Sequence, residues 1–384
     1  MNRPTLAIAG GGPVGLALAC ACPGFDTTVI EAAAARAAPV GDEFDLRVYS
    51  VSPGTRKLLR GLGAWSRLDA RRIVAVRGME IFGDRESKLT FAAPPGGALA
   101  WIVEAGRLAD ALEAHALSLS NVKVVRGRQV VAATASAAGS WAELEGGERV
   151  EASLLVGADG PDSKLRSLLG IAFDERPYGE SAIVANFDTG RDHAGVARQW
   201  FRADGVLAWL PLPGKRISIV WSAPARFAEE IAALEPSAFE KRVRDAGGAA
   251  LGELRLASGV ARFPLRFIRV PQPVAPGAAL VGDAAHAVHP LAGQGVNLGF
   301  QDARSLAAAL VQRSPLERPG DLRVLRRYAR SRSEGVAAMQ VVTHGLDRLF
   351  AADEEAIRGI RNLGLGLVDR QPWVKSALAR RAMR

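Results

Sequence analysis

The chain has 384 residues, 48% apolar and 23% charged. That is the length of one large or two interleaved domains and the balance of a globular protein with a real core, which excludes disorder, collagen and a disulfide scaffold. Forty-nine Lys plus Arg stand against 40 Asp plus Glu, a formal charge of +9, which draws anions to the surface, yet no aromatic-interleaved basic block marks a nucleic-acid partner.

Cys20 and Cys22 are too few for a framework or a zinc site. Two positions apart in a helix they face different ways, so they read as small core residues. The apolar run 4–25 is broken by Gly10-Gly11-Gly12-Pro13 and preceded only by Arg3, unlike a signal peptide. No other stretch reaches the roughly 20 apolar residues of a membrane span, so a cytoplasmic protein is expected. The basic end (Lys375, Arg380, Arg381, Arg384) is either a solvated tail or a contact for anionic lipid at the inner membrane face.

The first elements read as a strand at 5–9, a glycine turn, a helix over 14–22 and a strand at 27–31. Helices follow over 55–62 and 107–119, then short strands at 122–125, 129–133, 141–144 and 153–156. From 178 to 270 strand-like runs dominate (183–187, 197–201, 206–210, 217–221), separated by Gly, Asp and Pro turns and interrupted by helices over 227–234 and 238–246. A buried strand at 278–281 precedes a long helix over 296–312, and the tail to Arg384 reads as helical. The expected fold is mixed α/β: a Rossmann-like nucleotide-binding domain (1–75, 101–177 and 271–335), a mostly antiparallel β-sheet insert (76–100 and 178–270) and a helical C-terminal region (336–384).

Three motifs carry chemistry. Gly10-Gly11-Gly12-Pro13-Val14-Gly15 lies between strand and helix, with Glu31 ending the next strand. Gly10 permits the tight turn, Gly12 the approach of a pyrophosphate, Gly15 close helix packing, and Glu31 can accept from a ribose. Alone, this motif does not separate FAD from NAD. The second is Gly157-Ala158-Asp159-Gly160-Pro161-Asp162-Ser163-Lys164-Leu165-Arg166, which either presents a carboxylate and backbone donors to a cofactor or is an ordinary Asp-Gly turn. In the third, Gly282-Asp283 ends a strand and Gly293-Gln294-Gly295-Val296-Asn297 opens a helix. The Asp can accept from a polyol hydroxyl, and the helix start can face an anion.

Together these motifs resemble the para-hydroxybenzoate-hydroxylase superfamily of flavoprotein monooxygenases. The run His289-Pro290-Leu291-Ala292-Gly293-Gln294-Gly295-Val296-Asn297-Leu298-Gly299 is similar to the signature of its ubiquinone-biosynthesis hydroxylases. Asp45-Leu46-Arg47, Leu62-Gly63-Ala64-Trp65, Ile102-Val103-Glu104, Trp209-Leu210-Pro211-Leu212 and Tyr328-Ala329-Arg330-Ser331-Arg332 extend the likeness along most of the chain. The resemblance implies FAD, with Gly10, Gly12, Pro13 and Gly15 on the diphosphate, Glu31 on the ribose and Arg47 along the cofactor. It places Asp159 and Gly160 where FAD and passing NAD(P)H are both served, Gly282 and Asp283 at the ribityl chain, and Pro290, Gly293, Gln294, Gly295, Val296 and Asn297 around the isoalloxazine. Ala105 stands where these hydroxylases usually carry Asn, so a hydrogen bond there is either missing or supplied by Arg107.

The implied activity uses NAD(P)H and O₂ to hydroxylate a phenol, with a lipophilic, prenylated ring preferred. Trp209, Pro211 and Trp221 are candidate substrate walls or ordinary core, and His289 and Pro290 are further substrate-site candidates. His286 and His289 lack the companions of a metal site, and His289 reads as a structural hydrogen-bond partner or a proton relay. No protein acid or base is named. Two other functions stay open: a hydroxylase or epoxidase of another aromatic or apolar metabolite, and a non-catalytic FAD-binding subunit of a biosynthetic complex.

Overall fold

The computed structural model describes residues 3–34, 43–83, 87–289 and 295–351, with side chains as far as Val342. Its nucleotide-binding half is built on a six-stranded sheet ordered Val274–Ala275, Ala278–Leu280, Leu154–Gly157, Thr5–Ala9, Asp26–Glu31, Val122–Arg126. All pairs are parallel except the edge pair at Val274–Ala275. Leu6, Ile8, Val29, Leu154 and Val156 have one face of this sheet in common, and all are buried. Helices Pro13–Cys20, Ala105–Leu117 and Gly295–Val311 cover that face, joined by the start of Leu322–Ala351. Burial of each such side chain contributes about 1.5–3 kcal/mol before chain entropy is charged.

Gly12 leads into the first helix with Pro13 at its first position, where proline's missing N–H costs nothing. The helix is apolar all round, as befits one packed on every side, and Leu16 to Cys20 are all buried. Cys20 and Cys22 are buried and free, and burial pushes both thiols up to about 12. They are the small core residues expected.

The second half is a nine-stranded sheet. Its path runs His286–Ala287, Ala261–Arg269, Asp174–Thr189, Arg216–Pro224, Gly205–Leu212, Val196–Arg202, Gly78–Phe82, Lys88–Ala92, with Leu254–Leu256 pairing off the path. Helices Ala225–Ala232 and Pro236–Ala246 cover one face of it. Because side chains alternate along a strand, residues Ile183, Ala185, Phe187, Leu207, Trp209 and Trp221 go to the helices. The intervening residues turn to the other half, where Leu210 and Leu212 meet Val48, Val76 and Ile102. A small sheet of Val48–Val51, Ala100–Glu104 and Val74–Val76 supports this junction. Helix Leu322–Ala351 supplies part of the expected helical end; the tail from 352 lies outside the described residues.

Candidate active site

The three motifs, about 145 and 270 residues apart by the numbering of Gly12, Gly157 and Gly282, meet in space. Gly10 has φ +110°, and a Cβ there would lie 2.2 Å from the Ala158 carbonyl oxygen, so the glycine turn is pressed against the Asp-Gly turn. A Cβ at Gly15 would lie 2.1 Å from the Gly10 carbonyl oxygen, which only glycine tolerates. At Gly12 a Cβ would meet nothing within 4 Å, leaving open space before the N-terminus of helix Pro13–Cys20. Val14 touches the third motif: Cβ atoms at Gly282 and Gly299 would lie 3.4 and 2.6 Å from its methyl groups.

Glu31 closes the far side of the glycine turn. Its Oε2 accepts from the Gly11 N–H at 2.7 Å and its Oε1 from the Ala33 N–H at 2.9 Å, which leaves lone pairs on both oxygens for hydroxyl donors.

The turn at Gly282 (φ +61°) presents Asp283, half-buried, whose carboxylate makes no hydrogen bond among the described residues. Burial raises its pKa, and the nearby Arg47 charge pulls it back. A half-buried carboxylate left without a hydrogen-bond partner calls for a ligand donor. Beneath it Asp302 is fully buried. Its Oδ2 accepts from the Gly282 N–H at 2.9 Å and lies 2.6 Å from His286 Nε2, and its Oδ1 accepts from Arg332 Nε at 2.7 Å. Asp302, itself held by His286 and Arg332, thus holds the turn from below through the Gly282 amide.

A family model described as FAD binding domain matches residues 3–343. The chain belongs to this FAD-binding family. Over 396 residues it is 35% identical to the 3-demethoxyubiquinol 3-hydroxylase of Escherichia coli K12, with 97% of each chain covered. It is 33% identical to the ubiquinone hydroxylase UbiL of Rhodospirillum rubrum, over 98% of this chain and 88% of that one. The crystal structure of PqsL of Pseudomonas aeruginosa, a probable FAD-dependent monooxygenase, shares the fold with a TM-score of 0.77 at 23% identity, over 94% of this chain and 100% of that one. The protein is an FAD-dependent monooxygenase acting on a small aromatic molecule with O₂.

The features around Gly12 and Asp283 fit FAD: open space before a helix N-terminus for the diphosphate, acceptors at Glu31 for a ribose, and an unbonded carboxylate for the ribityl hydroxyls. The side chains of Asp159, Arg107 and Asn297, three other expected FAD contacts, have protein partners. Asp159 accepts from the Ser163 hydroxyl at 2.5 Å and the Leu165 N–H at 3.0 Å, so its carboxylate starts helix Lys164–Leu168. Gly160 (φ +81°) supplies the turn beside it. Arg107 lies 3.3 Å from Glu104, a buried carboxylate that also pairs with Arg72. Asn297 clamps the neighbouring strand, its Oδ1 accepting from the Ser52 N–H at 3.0 Å and its Nδ2 donating to the Ser50 carbonyl at 2.8 Å. Val296 packs on the core, and a Cβ at Gly295 would enter open space. Pro290, Gly293 and Gln294 lie outside the described residues.

The substrate-wall expectation is corrected. Trp209 and Trp221 are 1% and 0% exposed in the core under the two helices, and Pro211 is buried two residues from Trp209 in the same strand, sharing its face. Three residues escaped sequence reading: Asp302, Arg332 as its partner, and Glu180, which His289 meets at 2.9 Å. Arg332 stands in a matched run without a role, and no local pattern pairs it with a helix residue 30 positions earlier. Neither histidine belongs to a metal cluster among the described residues, and no helix among them is long and apolar enough to cross a membrane.

Proposed function

We propose that this monooxygenase hydroxylates a polyprenylphenol in ubiquinone biosynthesis. The observation that carries this reading is the meeting of the three motifs around an unbonded Asp283, in a chain related over 97% of its length to a demethoxyubiquinol hydroxylase. We assign FAD contacts to Gly10, Gly12, Pro13, Gly15, Glu31, Arg47, Gly282, Asp283, Pro290, Gly293, Gln294, Gly295 and the Asn297 backbone N–H. We also assign the cofactor-binding half to 1–75, 101–177 and 271–335, and the substrate-covering half to 76–100 and 178–270.

When bound, FAD takes reducing equivalents from NAD(P)H and delivers one oxygen atom of O₂ to the ring. The chain supplies the rest. The helix at Pro13 places its N–H groups against the diphosphate. Asp283 fixes the polyol, and the Asp302 hub prevents that turn from drifting. The sheet face opposite Trp209 and Trp221 covers the ring and excludes water, which keeps the oxygen transfer productive.

A greasy substrate is reached most directly at a membrane surface, and the +9 charge favours a peripheral position at its anionic inner face. The test is metabolite analysis of a strain lacking the gene. A polyprenylated precursor short of one ring hydroxyl should accumulate; normal ubiquinone levels with no such precursor would overturn the reading.

A further inference from the structure

One carboxylate on the covering sheet is unused by the cofactor site. Glu180 lies in strand Asp174–Thr189, just past Gly179 (φ +74°), where the strand slips register against Ala261–Arg269 between Pro177 and Ser181. From there the strand pairs without interruption with Arg216–Pro224, Glu180 opposite Pro224. Ile183, Ala185 and Phe187 enter the helix-covered core, so Glu180, Ala182, Val184 and Asn186 share the opposite face. Asn186 Nδ2 donates to the Phe44 and Asp45 carbonyls, which shows that this face looks onto the cofactor-binding half.

His289 reaches Glu180 from the segment that follows Asp283. Its ring is buried, with Nε2 2.9 Å from Glu180 Oε2, and Tyr178 stands edge-on to it at 5.1 Å. One carboxylate oxygen is thereby fixed. Oε1 has no hydrogen-bond partner among the described residues, and the Glu180 side chain is 18% exposed. Across the same face, the cross-strand neighbours Val184, Val220, Ala208 and Gln199 are uncharged. The next ionisable pair, Asp188 and Arg216, lies at the far end and is self-satisfied at 2.7 Å.

A fixed acceptor in an otherwise uncharged face selects ligands that bring a donor. A phenolic O–H can donate to Oε1. A ring carboxylate brings no donor and strands the acceptor, a costlier fault than a poor apolar fit. We propose that Glu180, held by His289, accepts the ring hydroxyl of a neutral phenol and excludes carboxylated rings. This rests on the reading above that the substrate is a phenol.

The test uses the holoenzyme and two probes: an ortho-prenylphenol, and the same ring with a carboxylate in place of the hydroxyl. Dissociation constants are read from the flavin absorbance change on titration. The wild type should bind the neutral ring at least about tenfold more tightly. Glu180→Ala should weaken the neutral ring about tenfold with FAD content unchanged. Glu180→Gln, which keeps an acceptor at nearly the same shape, should hold neutral-ring affinity within about threefold and narrow the discrimination. His289→Phe should weaken the phenol, and His289→Gln should restore part of the loss. Equal affinity of the wild type for both probes, or unchanged phenol affinity in Glu180→Ala, would overturn the proposal while leaving phenol hydroxylation standing. A wild-type holoenzyme that neither binds nor turns over the phenol would overturn both.

Discussion

His286 Nε2 lies 2.6 Å from Asp302 Oδ2 in the interior of the protein, and that same oxygen accepts from the Gly282 amide. Burial disfavours the imidazolium, yet the Asp302 charge and hydrogen bond outweigh it and raise the His286 pKa. Burial likewise opposes ionisation of Asp302, and His286 and Arg332 outweigh it to lower that pKa.

A raised histidine contributes stability that is full below its ordinary value of 6.5 and lost as pH rises through its folded value. A lowered aspartate contributes stability that is full above its ordinary 3.8 and lost as pH falls through its folded value. The hub should be worth most between those two ordinary values. Asp302→Asn should lower unfolding free energy by about 3–5 kcal/mol and flatten the difference curve on both sides, measured by urea titration across pH.

Asp283 behaves oppositely. Burial raises its pKa from 3.8, so in the apoprotein its ionisation costs stability as pH climbs from that ordinary value through the folded one. Hydroxyl donors from FAD favour the ionised form. FAD affinity should therefore rise with pH through the folded value and then level off. Asp283→Asn should remove the slope and weaken binding by about 1.5–3 kcal/mol, read by fluorescence titration of apoprotein.

Two glycines in one motif should fail in different ways. Gly12 has φ −73° and open space at its Cβ position, so Gly12→Val should fold with an unchanged thermal midpoint and lose FAD. Gly15→Ala would place a methyl 2.1 Å from the Gly10 carbonyl oxygen and should fail to fold. Circular dichroism melts beside flavin content separate the two.

Trp221 gives the complementary control. With its ring wholly inside the helix-covered core, Trp221→Ala should cost about 3–5 kcal/mol of stability. KM for the aromatic substrate should stay unchanged in the folded fraction.

These contrasts mark what local sequence could reveal. The glycine turn was legible because strand, turn and helix are consecutive and each glycine answers a separate steric demand. Gly282-Asp283 was legible because a buried strand announced its end. The Asp302 hub was not, since its partners stand 16, 20 and 30 residues away and only tertiary packing joins them. Trp209 and Trp221 were found as strand residues, but alternation does not say which face the helices at Ala225–Ala232 and Pro236–Ala246 will cover. Asp159 and Asn297 stood in recognisable runs, while their side chains hold protein backbone. Strands Gly78–Phe82 and Ala261–Arg269 lacked a clean period-two pattern and emerged only as partners of stronger neighbours.

The central claim is oxygen transfer to a phenolic ring by an FAD-loaded enzyme. The most direct measurement is mass spectrometry of the product formed from a polyprenylphenol, NAD(P)H and isotopically heavy dioxygen. One heavy oxygen is expected in the ring product, with no product from the FAD-free protein. Consumption of NAD(P)H with only peroxide formed, or a product whose new oxygen comes from water, would contradict it.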